Sequence, residues 1–483
     1  MLLTPTISSA DLHTLVPELF VCAAAFALLM LDLFISQQRR GLTHFLALLI
    51  LVAAAVLTLR DDMATTQVFA FSDMFVRDVA SDVLKLAMYA VAALVFVYAK
   101  PYLQDRDLFK GEFYALILFA LLGMMLMVSA ASLVTLYLGL ELLALSSYGL
   151  VAMDRDNEVA SEAAMKYFIL GSLASGLLLY GMSMIYGATG SLTLAEIHSV
   201  AAGGPDGMLM FGVVFLLVGI AFKFGAAPFH MWVPDVYQGA PTAITLFLGS
   251  VPKLAAFGMA YRLLESGVGP VDGDWRVMLA WLSALSLIIG NLVALVQTNF
   301  KRLLAYSTIS HVGFLFMGLA QADNLGYAAA LFYAISYSVM AAAAFAAVIL
   351  LSRRGFEADK VADFRGLWQR SPMHALLVLF IMASLAGVPP FLGFWAKLEV
   401  IKAALAGGLT WLALVAVVCA VIGAFYYLRV IRAMFFEEPE GQGPQLNGDS
   451  HLRVVFAVNA SALLVLGIFA EPLMYWCQKA FPT

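Results

Sequence analysis

Charge is what this 483-residue sequence has least of. Asp, Glu, Lys and Arg make up 12% of it, while 63% is hydrophobic and the mean hydropathy is +0.92. A soluble domain carries about 25% charged and about 45–50% apolar residues, so the polar groups here are too few to cover a water-facing surface. That excludes a soluble enzyme, a nucleic-acid binder and a disordered scaffold. Cysteine is scarce too: Cys22, Cys419 and Cys477 stand far apart, with no CxxC. An iron–sulfur or structural zinc site within the chain is thereby excluded, and no disulfide framework is available. No GxGxxG or GxxxxGK[ST] run supports nucleotide binding. The net charge of −5 is too small to imply an electrostatic partner.

Long apolar runs fill the chain. A membrane span needs about 20 predominantly apolar residues. Runs of that kind cover 15–35, 41–59, 78–99, 112–130, 132–153, 160–186, 207–230, 241–263, 276–297, 302–320, 326–352, 374–406, 409–434 and 452–473. The expectation is an all-α polytopic membrane protein of about fourteen transmembrane helices. The first run carries Glu18 and Asp32 and is followed by no clean small-residue cleavage site, so it reads as a retained helix rather than a signal peptide. With the N-terminus outward, sixteen Lys and Arg fall on the inner side against five on the outer. The positive-inside rule then puts both termini outside.

Six lysines remain within the spans: Lys85, Lys166, Lys223, Lys253, Lys397 and Lys402. A charge at mid-bilayer costs roughly 2.5–3.5 kcal/mol, so each needs a reason. Lys85 and Lys402 lie within two turns of a span end and are expected to snorkel. Lys166 sits at i+4 from Glu162, where a helical ion pair would account for it as well as a proton path would. Lys223, Lys253 and Lys397 are deeper. Glu141 and His311 are at the centres of their spans, Glu141 with Tyr137 one turn before it, and His311 among Ser307, Thr308 and Ser310. Three central lysines oppose insertion by roughly 9 kcal/mol, and a purely structural role would be met by Ser or Asn at lower cost. Lys, Glu and His exchange protons, whereas Arg, which does not, is absent from the span centres. That choice points to a proton relay.

Two spans carry prolines close to a lysine. Lys223 precedes Pro228 in FKFGAAPFH, and Pro389 and Pro390 precede Lys397 in GVPPFLGFWAK. Proline breaks helical hydrogen bonding and frees carbonyls where polar cavities form, so both helices are expected to be broken. The spans run in opposite directions and the Pro–Lys order is reversed between them, as an inverted repeat requires. The expected organisation is three N-terminal helices (1–111), a five-helix repeat (112–263), a second, inverted five-helix repeat (276–434) and a C-terminal helix (452–483).

The runs KFGAAPFHMWVPDVYQGAP, from Lys223, and QTNFKRLLAYSTISHVG, from Gln297, resemble the proton-translocating membrane family shared by respiratory complex I and multisubunit cation/proton antiporters. The form PDVYQGAP is similar to the subunit N branch of NADH–quinone oxidoreductase. The resemblance covers essentially the whole chain. It implies that Glu141, in LGLELLALS, is the family glutamate and Lys223 its partner lysine on the broken seventh span. Since each needs a partner within the membrane, carboxylate and ammonium are expected within about 4 Å or one water further. Lys253, in SVPKLAAFG, corresponds to the central lysine, His311 to the polar relay position and Lys397 to the terminal lysine on the broken twelfth span. His230, two turns beyond Lys223, is a connection to the cytoplasm, and Lys166 with Glu162 is a further charged pair. Lys85 has no counterpart in the family pattern.

The implied activity is proton translocation driven by quinone reduction elsewhere in complex I. The enzyme would be an NADH:quinone oxidoreductase of which this chain is a subunit without a redox centre, with FMN and iron–sulfur clusters in partner subunits. Its partners would be neighbouring antiporter-like membrane subunits, the lipid bilayer, protons and water, and no nucleic acid. The full set of N-terminal spans implies a bacterial plasma (inner) membrane, since animal mitochondrial versions are shorter there. A cation/proton antiporter subunit or a membrane-bound hydrogenase subunit would share the same relay residues. A structural spacer would tolerate loss of Lys253.

Overall fold

A computed structural model describes residues 8–60, 67–204, 206–438 and 446–481. The outer ends of the expected units 1–111 and 452–483, and parts of the stretches between the runs 41–59 and 78–99 and between 409–434 and 452–473, fall outside these residues. The long helices are α1 (Val16–Asp32), α2 (Gly41–Arg60), α3 (Val79–Asp105), α4 (Gly111–Val128), α5 (Leu133–Val151), α6 (Glu158–Thr189), α7 (Gly207–Phe224), α8 (Trp232–Gly239), α9 (Thr242–Tyr261), α10 (Asp272–Ala294), α11 (Phe300–Leu319), α12 (Asn324–Leu351), α13 (Pro372–Ala386), α14 (Leu392–Ala406), α15 (Thr410–Phe436), α16 (Ser450–Ile468) and α17 (Glu471–Lys479). Among the described residues, eleven helices are long and apolar enough to cross a membrane. A small antiparallel hairpin, β1 (Val68–Ala70) with β2 (Phe75–Arg77), joins α2 to α3.

The bundle inverts the soluble pattern. Leu49, Val52 and Val56 of α2, Ile169 and Leu173 of α6, and Val417 and Val421 of α15 are exposed apolar side chains, suited to lipid rather than water. The interior is built around α9 and α12, which pack against each other and are almost wholly buried. In α12 the alanines 328–330, 341–344 and 346–347 are buried, and small side chains let helix backbones approach closely without a hydrophobic driving force. Glycines do the same at the crossing of α4 and α5: a Cβ on Gly123 would lie 2.5 Å from the Gly139 carbonyl oxygen, and one on Gly139 would lie 2.6 Å from that of Gly123.

Two expected spans are interrupted, and the stop is a glycine. The run 207–230 ends as a helix at Phe224, where Gly225 adopts φ +76° as the C-cap, and the helix resumes at Trp232. The run 374–406 ends at Ala386, with Gly387 at φ +85°, and resumes at Leu392. In both, a left-handed glycine closes the helix and prolines follow within three residues, which bars continuation. His230 therefore lies in the link between α7 and α8, not two helical turns beyond Lys223 as expected. The last run, 452–473, is likewise divided between α16 and α17.

Candidate functional site

A helix that stops inside a bundle leaves its last carbonyls without intrahelical donors and carries a partial negative charge there. A buried cation answers both needs. Lys253, on α9 and 2% exposed, donates from Nζ to the carbonyl oxygen of Phe224, the last residue of α7, at 2.7 Å. Its ammonium is 5.6 Å from the centroid of the Trp232 ring at the start of α8. Lys397, on α14 and 8% exposed, donates to the carbonyls of Leu385 and Ala386, the end of α13, at 3.0 and 2.9 Å, and lies 5.3 Å from the Phe314 ring centroid.

Lys223 is one residue before the end of α7 and Glu141 lies midway along α5; both are partly buried. No ion pair within 4.0 Å joins them, so the closest form of the expected pairing is not made. The Glu141 carboxylate still acts electrostatically on the Lys223 ammonium, and its buried Oε1 has no hydrogen-bond partner. Between Glu141 and Trp232 runs an aromatic series: Tyr148 meets Tyr167 edge-on at 4.8 Å, and Tyr167 stacks on Trp232 at 4.8 Å.

His311 is 4% exposed on α11 and is held at both ring nitrogens. Nδ1 is 2.6 Å from the Tyr333 hydroxyl on α12, and Nε2 is 3.1 Å from the Tyr427 hydroxyl on α15. Tyr427 also bonds Ser307, and the Tyr337 hydroxyl donates to Thr308 at 2.7 Å. A second strand of the network runs from the Tyr426 hydroxyl to Asn291 at 3.1 Å and on to Ser310 at 2.7 Å. Towards Lys397 the continuity is aromatic: Tyr333 stacks on Phe314, the ring beside that lysine. Sequence reasoning found His311 and its serines and threonine but missed the tyrosines. A tyrosine in an apolar run reads as core filling, and only its position one or two turns from a span centre hints at a buried hydroxyl.

Comparison with known proteins decides the family. A family model described as NADH:quinone oxidoreductase/Mrp antiporter, TM, matches residues 130–423. The chain belongs to that family. NADH-quinone oxidoreductase subunit N of Xanthomonas euvesicatoria is 58% identical over 485 residues, covering 100% of this chain and 99% of the relative. The protein of the same name from Thioalkalivibrio sulfidiphilus is 52% identical over 97% and 98% of the two chains. Among solved structures, a chain of respiratory complex I from Thermus thermophilus is 33% identical with a TM-score of 0.81, over 95% of this chain and 98% of that one. A chain of the Mrp complex from Dietzia, 22% identical with a TM-score of 0.85 over 97% of both chains, shares the fold.

Within this antiporter-family chain the remaining charged positions divide by burial. Lys166 is 43% exposed and bridges Glu162 at 2.8 Å and Asp235 at 2.9 Å. Asp235, on α8, also takes a bond from Arg302 of α11 at 2.8 Å, so the expected helical pair is part of a bridge across α6, α8 and α11. Lys402 is 55% exposed beside Glu399, in keeping with snorkelling. Lys85 does not snorkel: it is fully buried and paired with Glu18 of α1 at 2.7 Å. Lys301, counted among the inner-side positive charges, is also buried and donates to the Ala240 carbonyl at 2.8 Å. At the same end Glu357, in the connection after α12, bonds Arg106, Tyr102 and Thr242. Burial alone would raise the Glu357 carboxyl, but the charges of Lys301 and Arg106 outweigh it and hold it below the usual carboxylate range. Among the described residues no group of three or more His, Cys, Asp or Glu is placed to hold a metal ion.

Proposed function

We propose that this chain is the antiporter-like, proton-translocating subunit N of an NADH–quinone oxidoreductase. In that reading, redox chemistry in partner subunits carrying FMN and iron–sulfur clusters drives protons through a relay of Glu141, Lys223, Lys253, His311 and Lys397. Lys166, Glu162 and His230 serve the inner mouth. The observation that carries the reading is the lodging of Lys253 and Lys397 on the open ends of two interrupted helices, with a hydroxyl–imidazole network around His311 on the way to Lys397. Each ammonium is balanced there by carbonyl dipoles rather than by a carboxylate in contact, so a shift of the broken helix changes how firmly its proton is held. A static spacer has no use for so costly an arrangement. The subunit N names of relatives matched over nearly their whole length favour this assignment over a cation/proton antiporter or hydrogenase subunit.

The finer architecture belongs to the same proposal. Counting α1, the more polar α11 and the broken α13–α14 as spans beside the eleven long apolar helices makes fourteen. Residues 112–263 and 276–434 form two inverted repeats, flanked by the N-terminal unit 1–111 and the C-terminal helix region 452–483. The chain lies in a bacterial plasma membrane with both termini outward, beside other antiporter-like subunits. The test is Lys253→Met and Lys253→Arg in the assembled complex, reconstituted in vesicles. Lys253→Met is expected to assemble, since loss of a buried charge relieves desolvation, and to pump poorly, because the relay loses its central nitrogen. Lys253→Arg is expected to pump poorly although the charge stays, because a guanidinium keeps its proton. Full pumping with Lys253→Arg would refute the relay.

A further inference from the structure

Outside the relay, another set of charges is buried in the bundle, and all of it but Arg262 lies in the N-terminal part of the chain, before the region that the family model matches. Glu18 of α1 is 2% exposed, and Lys85 and Asp82 of α3 are 0% exposed. Around them stand Arg77 of β2, Asp78 at the start of α3 and Arg262 just beyond α9, all buried. Three carboxylates thus face three cations, and two of the pairs are well bonded. Arg77 Nε is 3.2 Å from both oxygens of Asp82, and its Nη2 donates to the Thr58 carbonyl at 2.7 Å. Asp78 receives Arg262 at 2.7 Å and the Ser81 amide at 2.9 Å, while Arg262 Nε donates to the Val128 carbonyl at 3.0 Å.

The third pair is different. Lys85 Nζ meets Glu18 Oε1 at 2.7 Å, yet neither carboxylate oxygen nor the ammonium has a properly formed hydrogen bond. A buried pair retained for stability needs its remaining lone pairs and protons satisfied, or desolvation exceeds the Coulombic gain. This pair is therefore less fully bonded than the Arg77–Asp82 and Arg262–Asp78 pairs beside it. Lys85 also has a second carboxylate in electrostatic reach, Asp82, so it keeps a counter-ion if Glu18 becomes neutral. The other groups facing the pair are Tyr89 of α3, which feels the Glu18 charge, Thr58 of α2, Met125 of α4, whose sulfur meets the Tyr89 hydroxyl, and the Phe75 ring, 5.4 Å from Lys85. A cavity of about 540 Å³, lined by Asp73, Val76, His198 and Glu265, borders the cluster at Arg262, the residue that bonds Asp78.

We propose that Glu18 is a further proton-binding site of this subunit, with Lys85 as its counter-ion and Asp82 as the group that steadies Lys85 when Glu18 is protonated. In the step, the Glu18 carboxylate takes a proton from a hydronium ion reaching the cluster from the cavity. An O–H bond forms on Glu18, water is left behind, and the cluster gains one positive charge. Arg262 follows directly on α9, the helix of Lys253, so that added charge acts at the end of a relay helix. The inference rests on reading the chain as a proton-translocating subunit.

The test compares the wild-type complex with Glu18→Gln, Lys85→Arg and the neutral double variant Glu18→Gln/Lys85→Met, all reconstituted in vesicles, with Lys253→Arg as the reference. Infrared difference spectra between two pH values should contain a protonated-carboxyl band that Glu18→Gln and the double variant lose. The pH profile of pumping should lose one titration step in both. Lys85→Arg should keep that step, since the counter-ion persists. If the band is unchanged by Glu18→Gln, or the double variant pumps with the wild-type pH profile, the pair is structural and the proposal falls. Should Glu18→Gln fail to assemble, the double variant, which leaves no cation without its partner, decides alone. Full pumping with Lys253→Arg would instead sink the underlying relay, whatever Glu18 does.

Discussion

Lys253 and Lys397 occupy the same post on two different helices. Each sends its ammonium to the last carbonyls of a helix that a left-handed glycine closes, and each has an aromatic ring within 6 Å of its charge. The two differ in connection: Lys397 follows its own break on α14, whereas Lys253 reaches across from α9 to the break between α7 and α8. The negative end of a helix dipole is a diffuse counter-charge. It holds a cation without the tight geometry of a carboxylate, and it moves when the half-helix moves.

Gly387 is the first place to test this. Its φ of +85° disfavours any side chain, and a Cβ there would lie 2.9 Å from Lys397 Cδ. Gly387→Ala is expected to cost about 1–2 kcal/mol in backbone strain and to push Lys397 off the Leu385 and Ala386 carbonyls, so pumping should fall. Gly408→Ala separates the two effects, because Gly408 has φ +81° with nothing within 4 Å of an added Cβ. It should show a similar drop in thermal stability with pumping intact. Equal pumping loss in both variants would mean that strain, not lysine placement, is responsible.

The hydroxyl network makes a second prediction. Tyr427→Phe keeps the buried ring but removes the oxygen that bonds Ser307 and approaches His311 Nε2. The stability cost should be about 1 kcal/mol, while pumping should fall far more. Tyr98→Phe is the comparison, since that hydroxyl donates to the Val455 carbonyl beside Asn459, away from the relay residues. Its stability loss should be similar and its pumping normal.

These residues mark how far the sequence could be read. Apolar runs located the helices, because a span must be apolar along its length and a connection need not be. The prolines announced the two interruptions, but the stopping residues, Gly225 and Gly387, were not recognised, since a glycine in an apolar run is equally a packing residue. Lys85 was misread because snorkelling is judged from distance to a span end, whereas its partner Glu18 comes from a helix distant in sequence. The same limit hid Tyr333, Tyr427 and Asn291: which buried hydroxyls meet His311 depends on how α10, α11, α12 and α15 cross.

Glu357 carries a pH prediction. Its carboxyl is held below the usual range by Lys301 and Arg106, so its contribution to stability is complete above the ordinary glutamate value of about 4.3 and is lost as pH falls through the lower folded value. The side chain keeps 27% exposure, which limits the effect of Glu357→Gln at pH 7 to about 2 kcal/mol. Thermal denaturation of the purified complex should show a lower midpoint for the variant at neutral pH and a smaller difference from wild type in acid. A constant difference at all pH values would mean that the loss comes from packing and not from the charge.

The last prediction concerns Glu141 and Lys223, whose charges interact without touching. An ion pair beyond contact distance with one group partly exposed is worth at most about 1 kcal/mol to stability. A double-mutant cycle of Glu141→Gln and Lys223→Met, read as thermal stability of the assembled complex, should therefore give a coupling within that limit. Read as proton pumping, the same cycle should behave differently. Each single change should reduce pumping severely, because Glu141→Gln removes the charge that favours a protonated Lys223, and Lys223→Met removes the nitrogen that carries the proton. The double variant should be no worse than either single one, since two members of one relay step cannot be lost twice. Restoration of pumping in the double variant would identify the two residues as a charge-balancing pair and remove them from the relay.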